Sequence, residues 1–368
     1  MIEFTMKKIK TLLSASLAVC LVSGIAVAQE TSYCVYFGNT HSHCNYSGDI
    51  AIAKAKKGLK PDPANVPEIY FRLAKENGYD FYCITDHSQY PEYTPEAWAD
   101  LAARAEQATC PGFVAIRGYE HSENDGPEGK GHMNVYNSAT FLNALADSVG
   151  LEYFQHWLSR DENAKVIACF NHPGPKACND FHCYDEKVRS RFCLMELING
   201  RNSKLPAYIN ALSKGWKLSP VAGCDNHSRE NISRWQARTG ILATELTYDG
   251  VMEAFSARRT FATHNRNLSV VYTVNGRIMG SDIPRAARYR FDIEVNDPDT
   301  DKPEDAIRRI EILGEDGRVV ASSEFESHRV HWQPTVVAGE SYYYVLVYNA
   351  ASGDSAVAYA APVWPEAE

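Results

Sequence analysis

Six of the chain's twelve histidines fall in short motifs of a kind that holds metal ions. His41-Ser42-His43 sets two imidazoles two residues apart, on one face of extended backbone, where both reach one ion without rearrangement. Alone, such a pair is as well read as two turn residues. The balance changes with Asp86-His87, Glu120 after Gly118-Tyr119, His132 in Gly131-His132-Met133-Asn134, His172 in Asn171-His172-Pro173, and Asp225-Asn226-His227. Counting Asp49, the candidates are six histidines and four carboxylates. One catalytic zinc takes about three protein ligands, so a set this large points to two or three divalent ions. Two other chemistries drop out. There is no G-x-S-x-G elbow for a serine nucleophile, and no G-x-G-x-x-G after a strand for a dinucleotide.

The elements that must position these residues alternate between strand and helix. Strands are expected at 35–37, 81–85, 113–116, 166–170, 192–198 and 221–222. Helices are expected at 67–76, opened by Pro67 with Ile69, Leu73 and Ala74 at helical spacing, at 95–108 after the Thr94-Pro95 cap, and at 204–213. That alternation argues an α/β domain with a parallel, barrel-like sheet. The clusters at 41–43, 86–87, 120, 172 and 225–227 then each follow the C-terminal end of a strand, the rim where such barrels assemble active sites. After Thr263 the period changes to that of half-buried strands, as in Tyr289, Phe291, Ile293 and Val295. Residues 265–368 therefore read as a small β-sandwich, with Trp332 and Tyr342–Tyr344 in its core, behind a catalytic segment at 29–264.

In order, the motifs HSH, TDH, a strand-end Glu, GHMNV, NHP and CDNH resemble the polymerase-and-histidinol-phosphatase (PHP) superfamily. FGNTHSHCNYSGD, GHMNVY and MEAFSARRTFAT are most similar to its exported CehA/McbA-type metallohydrolases. The resemblance spans about residues 33–264. It implies a distorted (β/α)7 barrel with a centre of zinc, manganese or iron, most relatives being phosphoesterases. It further implies that His41 and His43 hold a first ion with Asp225. Glu120 would bridge to a second held by His132 and His172, and His87 and His227 would bind a third. The family often has a histidine six residues past H-x-H; here Asp49 stands there, so the third site would differ in affinity or metal preference. Asp86 would sit behind the ligands, orienting one or handling a proton.

A hydroxide between two such ions would be nucleophilic at neutral pH and would attack phosphorus or an acyl carbon. Arg201, and more weakly Lys130 and Arg229, are candidates to bind an anionic group of a small-molecule substrate. The leading expectation is a phosphoesterase. A carboxylic ester or carbamate hydrolase on the same metals is the nearest alternative, and a non-catalytic ligand-binding module is the other. An amidohydrolase fits less well, since the bridging position here is a glutamate.

The remaining composition sets the context. Lys7, Lys8 and Lys10 precede an apolar run that ends in Ala26-Val27-Ala28, the pattern of a cleavable export leader at 1–28 and not of a membrane anchor. The protein would then be periplasmic or secreted. Its formal charge of −9 would become −11 on cleavage, which argues against nucleic acid as a partner. Nine cysteines would remain, with Cys178 and Cys183 close enough in sequence to pair.

Overall fold

The computed structural model describes residues 32–123, 131–200 and 202–367; the expected leader, Lys130 and Arg201 lie outside them. The helix signals in the sequence act where they stand. Pro67 opens α2 (Pro67–Glu76), while α3 (Pro95–Ala108) starts where Thr94 Oγ accepts the Ala97 N–H at 3.2 Å. The face that α2 buries is turned from the expected one: Tyr70, Phe71 and Ala74 go inside, and Ile69 and Leu73 stay half-buried. The two aromatic rings offer more apolar area, and area decides which face is covered. The other helices of the first 264 residues are α1 (Gly48–Lys56), α4 (Leu151–Leu158), α5 (Ala177–Phe181), α6 (Leu205–Ser213), α7 (Asn231–Arg234) and α8 (Tyr248–Ser256).

Ten strands carry this part: β1 (Cys34–Asn39), β2 (Phe81–Ile84), β3 (Val114–Glu123), β4 (Gly131–Tyr136), β5 (Ile167–Asn171), β6 (Phe192–Asn199), β7 (Asn202–Ser203), β8 (Ser219–Ala222), β9 (Arg238–Ala243) and β10 (Thr260–Thr263). The sheet is mixed, where a parallel one was expected. The runs β1–β2–β3 and β5–β6–β8 are parallel. Between them β4 is antiparallel to both neighbours, and β9 and β10 are antiparallel on the other side of β1. The sheet curls so that β8 comes beside β9 and β10. Side chains join them: Thr239 Oγ1 donates to the Ala222 carbonyl (3.0 Å), and Thr260 Oγ1 to that of Pro220 (2.7 Å). Strand periodicity then separates two cores. Phe81, Cys83, Val114, Ile116, Ile167 and Cys169 pack with Phe255 and Val251 of α8, whereas Tyr82, Ile84 and Ala115 pack with α2 and α3.

The remainder continues this sheet. It contains β11 (Ser269–Val274), β12 (Arg277–Ile278), β13 (Asp282–Ile283), β14 (Arg288–Asn296), β15 (Ile307–Leu313), β16 (Val319–Ser327), β17 (Arg329–Trp332), β18 (Thr335–Val337), β19 (Tyr344–Asn349), β20 (Ala358–Ala360) and β21 (Trp364–Pro365). The expected boundary near Asn265–Asn267 does not separate the hydrogen-bonding network. β10 pairs with β20, with Phe261 opposite Ala360, so β20, β19, β15 and β16 extend the large sheet to 14 strands. A second layer, β12–β11–β14–β17 with β18 also on β14, shares one apolar core with those strands and with Leu242 and Phe261. Tyr342, Tyr343 and Tyr344 are buried.

Among the described residues all nine cysteines are unpaired. Cys178 and Cys183 have separate surroundings: Cys178 Sγ packs where a side chain on Gly131 would sit, and Cys183 Sγ donates to the Asp185 carbonyl. Cys178 through Phe181 all have φ between 51° and 56°, one left-handed turn. Such a turn costs roughly 1–2 kcal/mol per residue and needs outside support. Asn210 Nδ2 donates to Pro175 and Asp180, and Trp216 Nε1 to the Phe181 carbonyl. No helix among the described residues is long and apolar enough to cross a membrane.

Candidate metal centre

Backbone hydrogen bonds lace the motif loops together before any side chain is considered. His43 N–H donates to the Asn226 carbonyl (2.8 Å), Asp225 N–H to that of His41 (3.1 Å), and Thr85 N–H to that of Ser42 (2.8 Å). Glu120 N–H donates to the Asp86 carbonyl (3.0 Å), beside a parallel bridge of His87 and Glu120. Two ligand candidates lie inside strands and not past their ends. β3 runs on to Glu123, so Glu120 is mid-strand, and His132 sits on β4 opposite Ser122. His172 and Asp225 take positive φ, 30° and 47°, at the turns just after β5 and β8.

Glu120 and the eight other residues expected as ligands come together, five histidines lying within 3.5 Å of the buried Glu120 carboxylate. Oε1 lies 3.2 Å from His132 Nδ1, 3.4 Å from His41 Nε2 and 3.5 Å from His172 Nε2. Oε2 lies 2.9 Å from His87 Nδ1 and 3.5 Å from His43 Nε2. Asp225 Oδ1 is 3.0 Å from His43 Nε2, while Asp49 Oδ2 is 2.7 Å from His227 Nε2 and 3.8 Å from His87 Nε2. Four groups of three donors result, each with its atoms within 4.8 Å of one another: His41, His43, Asp225; His41, Glu120, His172; His87, Glu120, His132; and His43, His87, His227.

The electrostatics of this arrangement call for positive charge. Burial disfavours charge on His41, yet Glu120, Glu196 and Asp225 outweigh it and hold its pKa well above the usual value. Burial likewise works against the Glu120 and Asp225 carboxylates, but the histidines around them hold both well below the normal range. His227 is held at about 9, Asp49 overcoming the cost of burial, and Asp49 itself falls to about 2. His43 goes the other way, to about 3, through burial and then the charges of His87 and His227. Glu120 Oε2, fully buried, receives no aligned hydrogen bond. Protons on the histidines or divalent ions among them satisfy the same buried negative charge. The donor set, imidazole and carboxylate without thiolate, suits zinc, manganese or iron.

Behind the donors stands a residue that the motifs did not reveal. Glu196, in mid-β6 and fully buried, accepts a hydrogen bond from His41 Nδ1 (2.8 Å), the His172 N–H (2.8 Å) and Asn199 Nδ2 (3.0 Å). With Nδ1 held in this way, His41 Nε2 faces the cluster. Only a glycine fits opposite, since a Cβ on Gly223 would lie 1.7 Å from Glu196 Oε1. The one sequence signal for Glu196 is a lone acid inside the apolar run Phe192–Ile198. Asn171 Nδ2 donates to Glu120 Oε1 (2.8 Å), and Ser122 Oγ lies 2.9 Å from His87 Nδ1.

The other expected site residues lie as follows. Asp86 accepts from the Cys44 N–H (2.6 Å) and thiol (2.9 Å), tying down the residue after His43, and burial pushes its pKa up to about 6. Arg229 Nε donates to Asp62 (2.8 Å), so its charge is already matched. His121, outside every motif, is buried against Phe154 and 2.7 Å from Glu123.

No protein-family model matches the chain, and no curated protein matches it. Several solved structures are distantly similar, three of them as follows. A two-domain protein containing a predicted PHP-like metal-dependent phosphoesterase, from Bacteroides vulgatus, is 17% identical with a TM-score of 0.45, over 90% of this chain and 95% of its own. PsfC from Pseudomonas syringae is 18% identical at 0.38, over 56% of this chain and 82% of its own. The lesion-specific endonuclease PfuEndoQ from Pyrococcus furiosus is 13% identical at 0.37, over 61% and 56%. None reaches a TM-score of 0.5, so the site is read from its own atoms.

Proposed function

We propose that this chain is a metal-dependent hydrolase of the PHP type, acting as a phosphoesterase on small anionic esters. In this reading the curled sheet is the PHP barrel and the β-rich remainder its accessory domain. One observation carries it: nine side chains from six separate stretches of chain, 41–49, 87, 120, 132, 172 and 225–227, gather about the buried carboxylate of one of them, Glu120. A binding module has no need of four overlapping donor groups. Two or three divalent ions held here would supply an activated water and stabilise charge developing on the substrate.

The chain's own residues then divide the work. Glu120 joins the His41–His172 group to the His87–His132 group through its two oxygens. Glu196 orients His41 and, through the His172 N–H, the turn that carries His172. Asn171 fixes the Glu120 carboxylate, and Asp86 secures the H-x-H loop through Cys44. Asp49 pairs with His227, whose side chain is the most exposed of the donors. With Arg229 engaged by Asp62, an anionic substrate is attracted chiefly by the loaded centre itself and by Arg201 and Lys130. A leader-directed periplasmic or secreted location fits this proposal.

Metal analysis of purified protein, with turnover of p-nitrophenyl phosphate, bis-p-nitrophenyl phosphate and p-nitrophenyl acetate, tests the reading. Bound divalent metal and chelator-sensitive turnover of a phosphate ester are expected. Turnover of the acetate alone would favour the carboxylic ester alternative. Metal-free protein inert to all three would leave only the binding module.

A further inference from the structure

Helix α1 has two duties to reconcile. Its first turn delivers Asp49 to the centre, 2.7 Å from His227. Along the same face, at i+3, i+4 and i+7 from Asp49, stand Ile52, Ala53 and Lys56, all exposed. The helix ends in a Schellman motif: Gly58, at φ 66°, donates its N–H to the Ala55 carbonyl (2.9 Å), and Leu59 N–H donates to that of Lys54 (2.9 Å). In such a motif the residue after the glycine usually packs an apolar side chain back on the last helical turn. Here the partner position is Lys54, and Leu59 stays 53% exposed, with Ile52 at 45%. Lys54, Lys56, Lys57 and Lys60 alternate with these two residues along the chain. Among the described residues none of the four lies within ion-pair distance of a carboxylate; Asp62, the next acid along the chain, is held by Arg229 Nε and feels Lys54 only at longer range.

An exposed apolar pair among four lysines that make no close ion pair with a described residue, on a chain of net charge −9, selects its partner by charge. The net negative charge of the rest of the molecule is repelled by an anionic surface, which favours approach by this lysine-rich face. Nucleic acid would use the lysines but has no place for Ile52 and Leu59; a lipid headgroup region takes both. We propose that α1 docks the edge of the metal centre reversibly onto an anionic lipid surface. The contact is peripheral and leaves no spanning or permanent anchor. Because Asp49 and Ile52 share one helix face, the docked centre meets phosphate esters at the lipid–water boundary, such as phospholipid headgroups. That last clause rests on the phosphoesterase reading; the docking does not.

Cosedimentation with phosphatidylcholine vesicles, with and without phosphatidylglycerol, tests the docking whether or not any ester is turned over. Sedimentation is expected only with phosphatidylglycerol, and weaker at high salt. The pair Lys56→Glu and Lys57→Glu should lower partitioning about tenfold or more, as should the pair Ile52→Ser and Leu59→Ser. Melting temperature, bound metal and turnover of soluble p-nitrophenyl phosphate should stay as in the parent in both variants. No sedimentation with anionic vesicles would overturn the proposal, and so would sedimentation that neither variant reduces. A dimer that the serine variant dissolves, with vesicles ignored by the parent, would assign the face to a second copy instead.

Discussion

Glu196 shows what a motif search leaves out of a metal site. It touches no proposed ion, yet it fixes one ligand ring and the backbone of the turn that carries another. Replacing Glu196 with Gln keeps an acceptor in the same space and removes the charge that draws the His41 Nδ1 proton. Metal affinity is expected to fall by about 10–100-fold, read by competition with a chromophoric chelator, while the metal-free protein keeps its fold. An unchanged affinity would show Glu196 to be packing alone. The direct donors were legible because imidazoles and acids at short spacing stand out from their surroundings. Glu196 was hidden because its strand reads as one apolar run, and its role comes from Gly223 and His41, far away in sequence. Asp86 was legible as a position but not as a contact: nothing in Asp86-His87 says that the carboxylate will close on Cys44.

Elements with terminal signals were the easiest to read. α2 and α3 begin where Pro67 and Thr94-Pro95 place them, because caps and proline act locally, whatever the helix later packs against. The Thr94 cap is accordingly a stability element remote from the chemistry. Thr94→Ala is expected to cost about 1 kcal/mol in denaturant unfolding with metal content and turnover unchanged; a loss of metal would show that α3 is coupled to the centre. β4 and β9 were not legible. In β4, His132 and Asn134 interrupt the apolar pattern since they serve the site. In β9 all six residues, Arg238 and Thr239 among them, are buried, so no alternation is left to read. Both pair antiparallel with their neighbours in the part of the sheet that carries the site, so missing them helped a wholly parallel sheet look sufficient.

At the scale of the molecule, the tail's alternating strands and the change of period after Thr263 suggested a separable domain. Pattern within a strand says which face is covered but not by which strand the edge is paired. In the fold β10 gives its edge to β20, and Phe261 lies against Gly240 on one side while joining the tail's core on the other. Tyr344 also packs on Tyr208 of α6, in a core that takes in Leu212. A chain ending at residue 264 would therefore expose an unpaired strand edge together with Leu212, Leu242 and Phe261. Each fully buried side chain of this kind is worth roughly 1.5–3 kcal/mol, on the order of 6 kcal/mol for the three. Natural domains have only about 5–15 kcal/mol in hand, so residues 33–264 alone should aggregate or melt without cooperativity. The full chain should unfold in a single calorimetric transition, with metal lost in that same transition. A soluble 33–264 fragment that binds metal and melts cooperatively would show instead that the tail is an appendage, and that the centre's framework is complete without it.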